Sequence, residues 1–193
     1  MAPEAAAGFF GKIPARGDFV RAGLPRSFTD PWDDWMQAML AGSRAAMGAQ
    51  WLAAWMEAPI WHFRLPAGQC GPAPALGVWM PSIDAAGRHF PLTLALCGPP
   101  PADPDAWLAA AEALGLEALQ RDLPPEAIAA RLTAPAASAV APAAPMPAIW
   151  WTEGSPYVPA TRLSLSALPD VATFTEMLHA TAQTPQASGA GGI

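Results

Sequence analysis

The apolar residues of this chain change period at Pro59, and that switch constrains the fold more than any other feature. Before it, Trp32, Trp35, Met36, Met39 and Leu40 recur at helical spacing, and Trp51, Leu52, Trp55 and Met56 repeat the pattern on a second segment. From Ile60 the spacing falls to two residues, and β-branched and aromatic residues become more frequent. Strands are expected at Ile60–Leu65, Leu76–Ile83 and His89–Cys97. The last two are joined by Asp84-Ala-Ala-Gly87, which places a glycine where left-handed backbone is needed, so the three read as an antiparallel meander. A chain of 193 residues that runs from helices to a meander and back to helices fits one compact α/β domain. Its centre is expected to be a mixed, largely antiparallel sheet flanked by helices.

Prolines and caps divide the rest. Phe9, Phe10 and Ile13 form a short first strand that stops at Pro14, followed by a loop through Gly17, Gly23 and Pro25. Asp30-Pro31 is expected to open the first helix, with Asp30 as N-cap, Pro31 at the first helical position and Asp33 in the first turn. Gly42 is expected to stop that helix, Ser43 to cap a second segment and Gly48 to divide it. Pro99-Pro100-Pro101 breaks the sheet, and Asp103-Pro104 repeats the helix-opening chemistry ahead of Trp107, Leu108, Ala111, Leu114 and Leu119. Pro124-Pro125-Glu126 begins a shorter helix to Leu132. Residues 134–148 read as an Ala/Pro-rich internal linker. Ile149–Trp151 follow as a late strand, Leu163 and Leu165 as a weak further one, and Pro169-Asp170 leads into a last helix through Phe174, Met177 and Leu178. The domain is expected over 8–183, with a flexible lead-in at 1–7 and a disordered tail at 184–193.

Composition excludes several function classes. A formal net charge of −6 argues against nucleic acid, which needs a broad basic face. The start lacks the basic and apolar regions of a secretory signal, and no apolar run reaches membrane-spanning length, so a cytoplasmic location without direct membrane insertion is expected. Cys70 and Cys97 have no metal-finger spacing and read as reduced core thiols.

The least generic run is Gly8–Arg21, which carries the only lysine, Lys12, and begins a basic cluster with Arg16, Arg21 and Arg26. It fails as a phosphate loop, because Ile13 stands where a hydroxyl residue is required and Pro14 blocks the helix start. The cluster is a solvated loop, a docking surface, or, for Arg16 and Asp18, a clamp of the loop onto the sheet. Lys12 and Arg21 read as contact residues at one edge. Ser82, Asp84, Arg88 and His89 on the hairpin are the only tempting hydrolase or ligand-sensor set, without a nucleophile elbow to support them. His62, His89 and His179 show no metal-ligand spacing, so no metal and no cofactor is expected. Trp61, Trp79, Trp150 and Trp151 sit where alternation turns some rings outward, as interface anchors.

Gly8-Phe-Phe-Gly-Lys-Ile-Pro-Ala-Arg-Gly-Asp-Phe-Val, Leu24-Pro-Arg-Ser-Phe, Asp30-Pro-Trp-Asp-Asp-Trp, Ala58-Pro-Ile-Trp-His-Phe, Gly77-Val-Trp-Met-Pro-Ser-Ile-Asp, Gly87-Arg-His-Phe-Pro-Leu-Thr and Ile149-Trp-Trp-Thr-Glu-Gly occur in that order. Together they resemble the TagF (ImpM) family of type VI secretion-associated proteins, over nearly everything from Gly8 to about Leu178. His89 departs from the family, which more often carries tyrosine there. The resemblance implies a compact α/β fold with Gly8, Gly11, Pro14, Gly17, Asp30, Pro31, Trp32, Pro81, Ser82, Asp84, Gly87 and Pro91 as its structural signature. It also implies a non-enzymatic, cytoplasmic, post-translational repressor that binds the forkhead-associated scaffold protein Fha and, through the apparatus, its other components. Lys12, Arg16, Asp18, Arg21 and Arg88 are the partner-binding candidates.

Overall fold

In the computed structural model, which describes residues 5–134 and 147–180, seven strands form one sheet between two helical layers. The strands are β1 (Ala6–Gly11), β2 (Val20–Ala22), β3 (Trp61–Leu65), β4 (Ala75–Met80), β5 (Leu92–Cys97), β6 (Ala148–Thr152) and β7 (Thr161–Leu165). The helices are α1 (Arg26–Met47), α2 (Trp51–Glu57), α3 (Pro104–Gln120), α4 (Pro125–Arg131) and α5 (Val171–Leu178). Across the sheet the order is β2-β1-β5-β4-β3-β6-β7, and each of its six pairings is antiparallel. The expected meander is β3-β4-β5, at the centre.

Both faces of the central strands are covered, which is why β4 and β5 read as unbroken apolar runs. On β5, Leu92, Leu94 and Leu96 pack toward α3 and α4, while Ala95 and Cys97 pack toward α1, α2 and α5. Thr93 is fully buried with the second set, and its hydroxyl accepts the Trp32 indole N–H at 3.1 Å. That bond satisfies two polar groups in an otherwise apolar layer.

Several boundaries differ from those the sequence predicts. Ala6 and Ala7 belong to β1, opposite Cys97 and Leu96, so the lead-in is shorter than residues 1–7. Val20–Ala22, expected as loop, is the edge strand β2. The central hairpin's strands stop at Met80 and resume at Leu92, because Pro81 and Pro91 cannot donate ladder bonds; a single bridge, Ile83 to His89, remains between them. The expected linker ends one residue early, since Ala148 lies buried in β6. Residues 135–146 and the expected tail lie outside the described residues.

The first helix departs most. It begins at Arg26, with extended Pro25 before it, so Asp30 is not its N-cap and Pro31 lies inside it. Pro31 is tolerated because its missing N–H would reach only Ser27 in the first turn, where one bond is lost. The Cys70–Gly71 loop packs against that turn, and the Cys70 thiol donates to the Phe28 carbonyl at 3.6 Å. Nor does Gly42 end the helix. It is an approach point for α5: a Cβ there would meet Val171 Cγ2 at 2.6 Å. Ser43, expected as a cap, lies inside α1 and accepts the indole N–H of Trp51, the first residue of α2, at 2.9 Å. Gly48, at φ 55, is where α1 ends, and Gly48–Gln50 form a 3-10 turn before α2.

On α2, Trp51 and Trp55 are buried, but Leu52 and Met56 are 53% and 61% exposed, so the four do not share one buried face. Asp103 caps α3 as the sequence predicts, accepting from the Ala106 amide at 3.0 Å, and Asp170, expected only to lead into the last helix, caps α5 by accepting from the Thr173 amide at 2.8 Å. Trp61, Trp79 and Trp150 are buried and are therefore not surface anchors. Trp151 is half-buried, stacked on His62 at 5.1 Å and flanked by the guanidinium groups of Arg64 and Arg162.

Candidate functional site

The residues singled out near the N-terminus and on the central hairpin meet in space. At the end of β1, Gly11 turns the chain at φ 143 with the Pro91 carbonyl so close that a Cβ would lie 2.0 Å from its oxygen. A side chain there is barred by both conformation and space. Gly11→Ala is expected to lower the denaturation midpoint in urea, by a stability loss of roughly 2–4 kcal/mol; an unchanged midpoint would contradict this geometry.

That turn directs Lys12 inward. Its ammonium lies 2.9 Å from Asp84 Oδ2, and the two side chains are 7% and 0% exposed. Asp84 sits at the hairpin tip with every acceptor position used. Oδ1 takes the amides of Ala86 and Arg88, both at 2.9 Å, and Oδ2 takes Arg88 Nε at 2.7 Å beside the lysine. Burial would raise the pKa of this carboxyl. The Arg88 amide, the Lys12 ammonium, the Arg88 guanidinium and the Ala86 amide overcome that and hold it well below the usual carboxylate range.

The hairpin is stitched to the loop that follows Lys12 at three further points. Ser82 Oγ donates to the Lys12 carbonyl at 2.8 Å, the Ala85 amide donates to the Arg16 carbonyl at 2.9 Å, and Arg88 donates to the Gly17 carbonyl. Gly87, at φ 77, closes the turn as the sequence predicts, its amide donating to the Asp84 carbonyl at 2.9 Å. Phe19 covers the assembly, its ring 5.5 Å from Phe10, 4.7 Å from Phe90 and 5.0 Å from the Lys12 ammonium. The whole is a latch: one carboxylate ties a loop to a hairpin more than sixty residues away in sequence.

The partner-binding candidates separate accordingly. Lys12 is buried and ion-paired, so it does not stand at an exposed edge as the sequence predicts. Arg88 is half-exposed but committed to Asp84 and Gly17, with Asp18 at 3.7 Å. Arg16 is exposed, its guanidinium donating to the Ala15 carbonyl at 3.4 Å and lying 3.8 Å from the exposed Glu126, and Arg21 is exposed on edge strand β2. Asp18 is almost wholly exposed.

The hydrolase set is not assembled. Ser82 donates to backbone carbonyls, Asp84 is saturated, and His89 places its ring against the edges of Trp51 and Trp55 at 5.3 and 6.4 Å. Burial, and the cations of Arg44 and Lys12, lower the His89 pKa against a smaller opposing effect of Asp84. Beside the hairpin lies an apolar depression of about 170 Å³, lined by Pro14, Trp55, Met56, Pro81, Ile83 and Leu119. Ser82 borders it; Arg16, Asp84, Arg88 and His89 do not, so the ligand-sensor set does not line this depression together. Among the described residues no group of three His, Cys, Asp or Glu side chains could hold a metal ion. His62 instead meets Glu112 of α3 at 2.7 Å, a pairing with no signal in the sequence because strand and helix are fifty residues apart. Among the described residues no helix is long and apolar enough to cross a membrane.

A helix-flanked antiparallel sheet whose hairpin carboxylate is spent on holding a loop defines the class: an α/β domain with a latched N-terminal signature. The chain belongs to the family described as TagF N-terminal domain, type VI secretion system-associated, whose model matches residues 8–134. Among solved structures it is similar to the crystal structure of PA0076 from Pseudomonas aeruginosa PAO1. The two are 33% identical with a TM-score of 0.80, over 92% of this chain and 96% of that one. No curated protein gives a match.

Proposed function

We propose that this protein is a non-enzymatic, cytoplasmic regulator that represses type VI secretion after translation by binding the forkhead-associated scaffold protein of the apparatus. Membership of the type VI secretion-associated TagF family carries the reading. It is supported by the use made of the hairpin: the hydroxyl, carboxylate and guanidinium that could serve catalysis are bonded to the chain itself. A protein that acts by contact needs a rigid shape more than a free nucleophile.

Arg16, Arg21 and Arg26 are the exposed members of the basic cluster, and Arg16 and Arg21, with the exposed Asp18 between them, are the contact candidates with the freest side chains. Co-purification of the full chain with its cognate scaffold protein tests the proposal. A complex at micromolar concentration that persists after phosphatase treatment is the expected result. No complex, with both proteins folded, would overturn it.

A further inference from the structure

We infer that α2 is the face through which two copies of this chain pair, antiparallel about a two-fold axis. Residues 45–56 form the end of α1, the 3-10 turn and nearly all of α2, and contain no charged side chain. Yet Ala45, Ala49, Leu52, Ala53 and Met56 within them are exposed. Leu52 and Met56 are four residues apart and so share one side of the helix. Absence of charge from an exposed helical surface marks the core of an interface, not a solvated face.

Two charges bracket this surface. The Arg44 guanidinium lies over the Trp51 ring, 4.2 Å from its centre, at the start of α2. Glu57 closes the other end, about 10 Å further along a seven-residue helix. Both are exposed, and among the described residues neither has an ion-pair partner. Glu57 is also at the end of α2 where that helix's own dipole disfavours a carboxylate. Setting a second α2 antiparallel answers both charges at once: Arg44 of each copy faces Glu57 of the other.

The apolar part is self-complementary as well. Met56, 61% exposed, stands on the wall of the depression described above, so a protruding side chain and a hollow lie side by side on one surface. A two-fold operation then places each knob over the other copy's hollow, which is the requirement for an isologous contact. Alanines at 45, 49 and 53 leave room for close approach. An unrelated acidic or basic partner would satisfy one of the two charges and oppose the other.

Two short helices bury a small area, so the dimer belongs to the weak, transient class. Sedimentation equilibrium of the full chain between about 5 and 500 µM tests it. A reversible dimer is expected, lost in Met56→Asp. Arg44→Glu should weaken it at least about tenfold, and the double variant Arg44→Glu/Glu57→Arg should return to within about threefold of the parent, because the swap restores both pairs. All three substitutions are at exposed positions, and unchanged circular dichroism and melting confirm the fold. A monomer throughout that range, a dimer indifferent to Met56→Asp, or a double variant as weak as the single one would each overturn the inference. The outcome is independent of whether the scaffold protein binds.

Discussion

Asp84→Ala is expected to lower the melting temperature by roughly 6–20 °C, among the largest effects of any single substitution in the chain. The loss does not come from an ion pair's attraction, which burial largely offsets. It comes from leaving the Lys12 ammonium buried without a counter-ion and two hairpin amides without an acceptor. Hence Lys12→Met in the Asp84→Ala background should recover a substantial part of the loss, whereas Lys12→Met alone should be mild. Scanning calorimetry of the four proteins completes the cycle; strictly additive effects would show that the pair does not act as a unit. The pH dependence has a definite sign. Asp84 is more acidic folded than unfolded, so on acidification the unfolded chain takes up the proton first. The latch's stabilisation is complete at neutral pH and declines only below the ordinary carboxylate range, near pH 4. The melting-temperature gap between the parent and Asp84→Asn should stay constant from about pH 8 to 5 and narrow below about pH 4.

A chain ended after Thr133 is expected not to fold at all, although the family model stops at residue 134. Beyond that point lie β6, β7 and α5, which supply the outer neighbour of β3 and the helix packed on α1. Trp32 stacks on Trp150 and Phe63 packs tilted against it, while Trp79 stacks on Phe174 and Trp35 meets it edge to face. The indoles of Trp35 and Trp61 donate to the Pro169 and Met177 carbonyls, at 2.8 and 3.0 Å. Losing one buried Trp or Phe costs about 3–5 kcal/mol, and a domain has only about 5–15 kcal/mol in total. Removing Trp150 and Phe174 together with three elements therefore exhausts it. The truncated chain should bind a hydrophobic dye and show no cooperative melting; a sharp transition with dispersed amide resonances would contradict the account.

What the sequence makes legible depends on how local the cause is. Asp103 accepts from an amide three residues on, and its cap is readable because donor and acceptor are neighbours in the chain; the start of the last helix at Pro169-Asp170 is readable on the same local scale. The Asp84–Gly87 turn was readable for the same reason. The start of α1 was not: Asp30-Pro31 carries the chemistry of a helix start, and only the packing of Phe28 against Trp32, 5.4 Å apart, moves it a turn earlier. Strand β2 is three residues long and owes its existence to β1 beside it, so no periodicity could announce it. The latch was half visible. Lys12 lies in a run with Phe9, Phe10 and Ile13, all buried, and a cation in such a run has to be paired. That its partner is Asp84, and that Arg16, Gly17 and Ser82 gather around it, is set by the β1–β5 register, which no local pattern encodes.

That register also fixes an order of events at birth. β1 is made first, but its neighbour β5 is not complete until Cys97, and the counter-ion of Lys12 arrives only with the hairpin between. At ordinary synthesis rates Phe9, Phe10 and the lone lysine wait on the order of 4–20 s for their partners, while β3, β4 and β5 can pair as they emerge. The N-terminal signature is thus made well before the strand and hairpin that fasten it. Until it closes, the sheet presents β5 as an open edge, a natural place for a chaperone to hold the nascent chain.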